Sequence, residues 1–201
     1  MAAGKTTKLE AVNTMLTFIG ESPVNSLSDS SGVGDLPIAE QILDEIDREV
    51  QTQGWHFNTT VDVVTSPDAT SNEIVLSHNV VSADVKVGAY TDMDITLRNN
   101  KLFNRSKNTF EFTSDLKLTL VSLLPWEDLP EKARRYVTLR SARVLQDRQV
   151  GAKELTEIGI REEMVALAAL REYDAEGADY SVFDGYLPAQ TISDYRRSTA
   201  Y

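Results

Sequence analysis

The apolar residues of this 201-residue chain change period twice, and that double change limits the folds open to it. Residues 8–19, "KLEAVNTMLTFI", carry Leu9, Val12, Met15, Leu16 and Ile19 on one stripe at helical spacing, with Gly20 as a stop. A stretch rich in Ser, Gly and Asp follows and reads as a loop. Asp35 is placed to cap a second helix with Pro37 in its first turn. Ile38, Ala39, Ile42, Leu43, Ile46 and Val50 line one side of that helix, and Glu40, Asp44, Asp47 and Gln51 line the other. Gly54 ends it. Trp55 and Phe57 are expected to anchor the helix end in a core, with His56 satisfied or exposed between them.

From about residue 59 to 124 the period falls to two. "TTVDVV", "NEIVLS", "DVKVGAY", "DITLRNNKLFN", "TFEFT" and "LKLTLVSLL" are short segments rich in Val, Thr, Phe and Tyr, separated by turn formers. They predict five or six antiparallel strands in a small sheet or open barrel. "RNNK" marks a hairpin, because asparagine tolerates the left-handed conformation.

Helical spacing then returns. "EKARRYVTLRSARVLQDRQVG" runs to Gly151, and "AKELTEIGIREEMVALAALREYDA" follows after a short connection. In this last helix Leu155, Ile158, Met164, Val165 and Ala169 are the core-facing candidates. The final stretch has no period but carries Tyr180, Phe183, Tyr186, Tyr195 and Tyr201, which suggests an arm that orders against a surface. The fold class is therefore α+β. Two helix pairs (1–58 and 125–175) form a four-helix bundle, residues 59–124 form an inserted antiparallel β unit, and 176–201 form a C-terminal arm.

Composition narrows the chemistry. With no cysteine, disulfides and thiolate metal sites are excluded. His56 and His78 are far apart, and no metal set gathers around either. No apolar run approaches the ~20 residues of a membrane helix, so no stable membrane binding is expected. A net charge of −11 opposes wrapping of nucleic acid but suits a wall that DNA slides past. The charge is split. Residues 1–58 hold three Lys or Arg against nine Asp or Glu, whereas residues 130–150 hold six against two. Such a split suits contact between copies or with a partner, or two solvated helix faces.

Three chemical motifs fail on their own terms. "AAGKTT" imitates the end of a phosphate-binding loop but lacks the glycine five residues ahead of its Gly-Lys. Asp92 and Asp94 share one side of a strand without a further metal-binding group nearby. No Gly-x-Ser-x-Gly elbow is present.

The joint "LLPWEDLPEKARRY", residues 123–136, is the most loaded segment. Glu127 and Asp128 beside Trp126 resemble a carboxylate pair at a sugar-binding aromatic, as in glycoside cleavage, yet adjacent turn residues rarely face each other across a cleft. The structural alternative makes Trp126 a filler of the seam between sheet and helices, Asp128 a helix cap and Pro130 a helix start. Arg134, Arg135 and Arg148 form a basic edge on this reading, and in a minor alternative they grip DNA. Arg140 falls inside the apolar stripe between Tyr136 and Val144. It requires a carboxylate, across the bundle or across a subunit boundary, unless it snorkels to water.

The blocks "AVNTMLTFIGESPVNSL", "ILDEIDREVQTQGWHFNT", "LRNNKLFNRSKNTFEF" and "LLPWEDLPEKARRYVTLRSARVLQDRQVG" resemble, in order from about residue 9 to 174, the tail tubular protein A family. These are head-to-tail adaptors of short-tailed, podovirus-type bacteriophages. The resemblance implies a virion structural protein of the short tail, present in the host cytoplasm during assembly. It implies a homo-oligomeric ring, expected to be a dodecamer, between the portal protein and a nozzle protein (tail tubular protein B). DNA would pass transiently and non-specifically through the bore. No enzyme activity, cofactor, metal or catalytic residue is implied. Candidate contacts with neighbouring subunits or portal are Trp126, Arg134, Arg135, Arg140, Arg148, Tyr186, Tyr195, Arg196 and Arg197. The rival expectation is a tail-associated polysaccharide or cell-wall hydrolase using Glu127 or Asp128.

Overall fold

A computed structural model describes residues 4–28, 34–85 and 93–177. Four helices, α1 (Lys8–Phe18), α2 (Leu36–Gln51), α3 (Glu131–Gln149) and α4 (Lys153–Gly177), surround one hydrophobic core. Five strands lie between α2 and α3 in sequence, in a unit with its own second core: β1 (Thr59–Thr65), β2 (Val80–Val85), β3 (Ile95–Arg98), β4 (Lys101–Asn104) and β5 (Leu116–Ser122). The fold is α+β.

α1 starts on a reciprocal cap. The Thr7 side chain accepts from the Glu10 N–H, and the Glu10 carboxylate accepts from the Thr7 N–H at 2.7 Å. These bonds hold the exposed Glu10 carboxyl below its usual range, chiefly through the Thr7 backbone. Val12, Met15 and Leu16 are buried, as their spacing predicts. α2 buries Ala39, Ile42, Leu43, Ile46 and Val50. Each fully buried Leu or Ile of this kind contributes ~1.5–3 kcal/mol relative to exposure. Ile38 is instead exposed. Asp35 occupies the cap position of α2 but has helical backbone angles and makes no side-chain cap. Its carboxylate accepts from Gln149 Nε2 at 3.0 Å, tying the start of α2 to the end of α3.

The β unit has a three-stranded antiparallel sheet in the order β1-β5-β2 and a β3–β4 hairpin. One extra residue bulges out of β1 between Thr60 and Val63, where Asp62 has φ +58°. β2 has a second irregularity between Val80 and Ser82. In the hairpin, Asn99 and Asn100 both have positive φ, the geometry of a two-residue primed turn. Two predicted strands are not strands. "NEIVLS" and "TFEFT" make only isolated bridges, Glu73 with Glu111, Val75 with Lys101 and Thr109 with Asn104, yet deliver Ile74, Leu76 and Phe112 to the core. Most of "DVKVGAY", together with Asp92, lies outside the described residues.

α3 is the central helix and packs against α1, α2 and α4. Between α3 and α4 the chain turns at Gly151, φ +66°. α4 corrects one expectation. Its buried positions are Gly159, Ala166 and Leu170, whereas Leu155, Ile158, Met164 and Val165 are exposed. At Gly159 and Ala166 the inward stripe is small, which lets the helices approach closely, and Leu170 fills the core further along. A Cβ on Gly159 would lie 3.2 Å from Cγ of Arg143.

Candidate assembly surface

The 123–136 joint is a fastening. Trp126, Glu127 and Asp128 form a single 3₁₀ turn (Trp126–Asp128) ahead of α3. Trp126 is buried and its Nε1–H donates to the Thr6 carbonyl at 3.0 Å. Arg134 is buried as well, not on an exposed basic edge. Its guanidinium donates to three backbone carbonyls: Thr6 at 2.7 Å, Leu129 at 3.1 Å, and Glu127. The Glu131 carboxylate meanwhile accepts from the N–H (2.8 Å) and the hydroxyl of Thr6. The segment ahead of α1 is thus pinned to the point where the chain re-enters the bundle.

This geometry removes the motive for a sugar site. Trp126 is covered, so it offers no aromatic platform. Glu127 and Asp128 are exposed neighbours on one turn, and neither carboxylate makes a hydrogen bond or ion pair among the described residues. Glu127 serves through its carbonyl instead. Asp128 does not cap α3. Pro130 holds the cap position and no side chain caps there. A proline there is tolerated, since the first helical N–H groups have no intrahelical partner anyway.

A second fastening lies where the chain leaves and re-enters the bundle. Gln51, expected on the polar face of α2, is buried. Its side-chain amide brackets Leu124, accepting the N–H at 2.7 Å and donating to the carbonyl at 3.1 Å. Asn58 is buried beside it and donates to the carbonyls of Gln51 (2.8 Å) and Ser122 (3.0 Å) while accepting the Trp55 N–H. Trp55 Nε1–H donates to Val50 at 2.7 Å, and the ring is buried. Phe57 is half-buried against the bundle core, and His56 is exposed. Asp47 donates nothing to this cluster but accepts from Gln51 Nε2. Burial pushes its carboxyl pKa up, against the lowering pull of that hydrogen bond.

The charge split is spent largely within the chain itself. Arg140 finds its carboxylate in the same chain: Nη2 lies 2.6 Å from Glu49 of α2, Nε lies 3.9 Å from Glu163 of α4, and Nη1 donates to the Tyr136 hydroxyl. Arg143 pairs with Glu163 and, at 2.9 Å, with Asp147. The Glu163 hydrogen bond is the main cause of its raised pKa. Arg148 pairs with Glu45 at 3.4 Å, and Lys8 with Asp44 at 2.7 Å. The grip on DNA by Arg134, Arg135 and Arg148 loses two of its members, one buried against carbonyls and one paired. Arg135 stays exposed.

Exposed large apolar side chains remain on the β unit, at Val61, Val64 and Val75, and in greater number on α4. Met164 and Val165 are 66% and 67% exposed, and Ile158 is 52% exposed. Leu155 and Ile160 continue this apolar exposure along the helix. Such a concentration of exposed large apolar side chains on one helix is a candidate contact surface. Tyr186, Tyr195, Arg196 and Arg197 lie outside the described residues. Among the described residues no three His, Asp or Glu side chains group as metal ligands, and no helix is long and apolar enough to cross a membrane.

Sequence reasoning missed Gln51, Asn58 and the inward face of α4. For α4 the signal was there: Gly159 and Ala166 are seven residues apart, with Glu163 between them to meet two arginines. A family model described as "Tail tubular protein" matches residues 9–180. A comparison with curated proteins gives no match.

Proposed function

The chain belongs to the tail tubular protein family of phages, a structural component of the virion, and on that premise we propose that it works as a ring-shaped head-to-tail adaptor. Copies bury the exposed apolar side chains of α4 against their neighbours, and the ring, expected to be a dodecamer, stacks between portal and nozzle proteins. Genomic DNA passes through its bore. The observation that carries this is the set of exposed large apolar side chains on α4, since the four-helix core is complete without them. The net charge of −11 supports a bore to which DNA does not adhere.

Mixing the purified chain with the portal protein, and examining it alone, tests the proposal by negative-stain imaging and sedimentation. Rings in either sample are expected. Dispersed monomers in both, across concentrations up to those of assembly, overturn it.

A further inference from the structure

α4 is held to the bundle in two unlike ways. From Ala166 onward the hold is apolar: Ala166 and Leu170 are buried in the bundle core and Leu167 packs against it, with Asp174 accepting the His56 N–H at 2.6 Å. Over 153–165 the only buried residue described is Gly159, which faces the stem of Arg143. Among the described side chains, Thr156 and Glu163 alone bond this part of α4 to the rest of the chain. The Thr156 hydroxyl meets Asp147 at 2.7 Å and Gln146 at 3.3 Å, and Glu163 pairs with Arg143 and, at 3.9 Å, with Arg140. A groove of about 370 Å³ opens alongside, with Lys132, Arg135 and Leu139 of α3 and Arg161, Glu162 and Val165 of α4 among its lining.

We propose that residues 153–165 form a releasable lever: they lift off α3 as a unit, pivoting where Ala166 and Leu170 hold the helix, with Glu163 as the latch. Release strands no arginine. Arg140 keeps Glu49 at 2.6 Å and the Tyr136 hydroxyl, and Arg143 keeps Asp147 at 2.9 Å, while Glu163 gains water. In the docked position Arg140 Nε is buried without a hydrogen bond, and release opens that donor to water. Little apolar surface is given up, because Gly159 has no side chain and Leu155, Ile158, Ile160, Met164 and Val165 are already exposed. Local opening is drawn from places with few buried apolar contacts. The lever carries those five side chains, so the apolar surface offered to a partner is the part of the subunit that moves, and a bound neighbour would hold it in one position. The inference concerns the single chain and stands whether or not rings form.

Amide hydrogen exchange of the full chain, resolved along α4, tests the lever. A helical segment this short is marginal without tertiary support, so release lets its amides exchange. Amides of 157–165 are expected to exchange roughly tenfold faster or more than those of 166–173. Glu163→Gln keeps the shape of the side chain and removes its charge. It is expected to speed 157–165 severalfold further and to leave 166–173 and α3 unchanged. Arg143→Met keeps a stem against Gly159, is expected to act in the same way, and stands in if Glu163→Gln does not fold. Equal protection across 157–173 overturns the proposal. So does a difference that both variants leave untouched, which is ordinary fraying of a helix end. Acceleration of both halves together also overturns it, because the helix then opens only with the bundle.

Discussion

Arg134 donates a hydrogen bond to the carbonyl of Thr6 at 2.7 Å across 128 positions of sequence. With Trp126 on the same carbonyl and Glu131 on the Thr6 N–H and hydroxyl, it makes the approach to α1 part of the α3 entry. Arg134→Ala strands buried carbonyls and opens a void, at a cost of about 3 kcal/mol in urea unfolding. Trp126→Phe loses the donor and part of the buried ring, at a cost of about 1–3 kcal/mol. A change within ~0.5 kcal/mol for Arg134→Ala would contradict the fastening.

Asp47 gives the pH dependence a definite sign. Its folded-state pKa is raised by burial, so protonation favours the folded state. Its contribution is fullest below the ordinary carboxylate range and is lost as pH rises through the folded pKa. Asp47→Asn is therefore expected to melt higher than the parent at pH 7. The gap should narrow as pH falls through the raised pKa of Asp47 toward the ordinary carboxylate range. Melting curves from pH 7 to pH 4 read this directly. Asp68 runs the other way: backbone N–H groups of Ser71 and Thr70 hold its carboxyl low, and that contribution is lost on acidification.

Gly54 has φ +75°, and a Cβ there would sit 3.2 Å from Cγ2 of Val121. Gly54→Ala combines left-handed strain with crowding against β5, and should destabilise by about 1–2 kcal/mol. Chemical denaturation of the single variant measures it.

Ile158→Glu with Met164→Glu separates folding from assembly. Both residues are exposed, so the isolated chain should unfold within about 0.5 kcal/mol of the parent. Ring formation should fall away. Sedimentation with and without portal protein reports both, and a variant that still assembles shifts the subunit contact to another face.

The parts of the fold legible in the sequence are those where local and tertiary demands coincide. α2 has one apolar face and one polar face, and its core positions follow directly. Asn99 and Asn100 show their turn because few other residues accept two successive positive φ values. α4 was opaque because apolar residues lie on several of its sides, and packing turned Gly159, against Arg143, with Ala166 and Leu170 inward. Gln51 and Asn58 were opaque for another reason: a polar residue looks solvent-facing until the carbonyls that it satisfies are known. Arg134 likewise looks like surface charge in sequence, and only the fold brings Thr6, Glu127 and Leu129 around it.

The Gln51–Asn58 clamp has a mechanical meaning. Residue 59 leaves the bundle and residue 121 returns to it as paired neighbours in one ladder, Thr59 opposite Val121. The β unit therefore hangs from a single neck, not from two separated supports. Tension on its far end divides between two strands running side by side, and the amides of Gln51 and Asn58 take the load where they meet the bundle. A torque on the β unit concentrates at this neck, which makes it the pivot of the subunit.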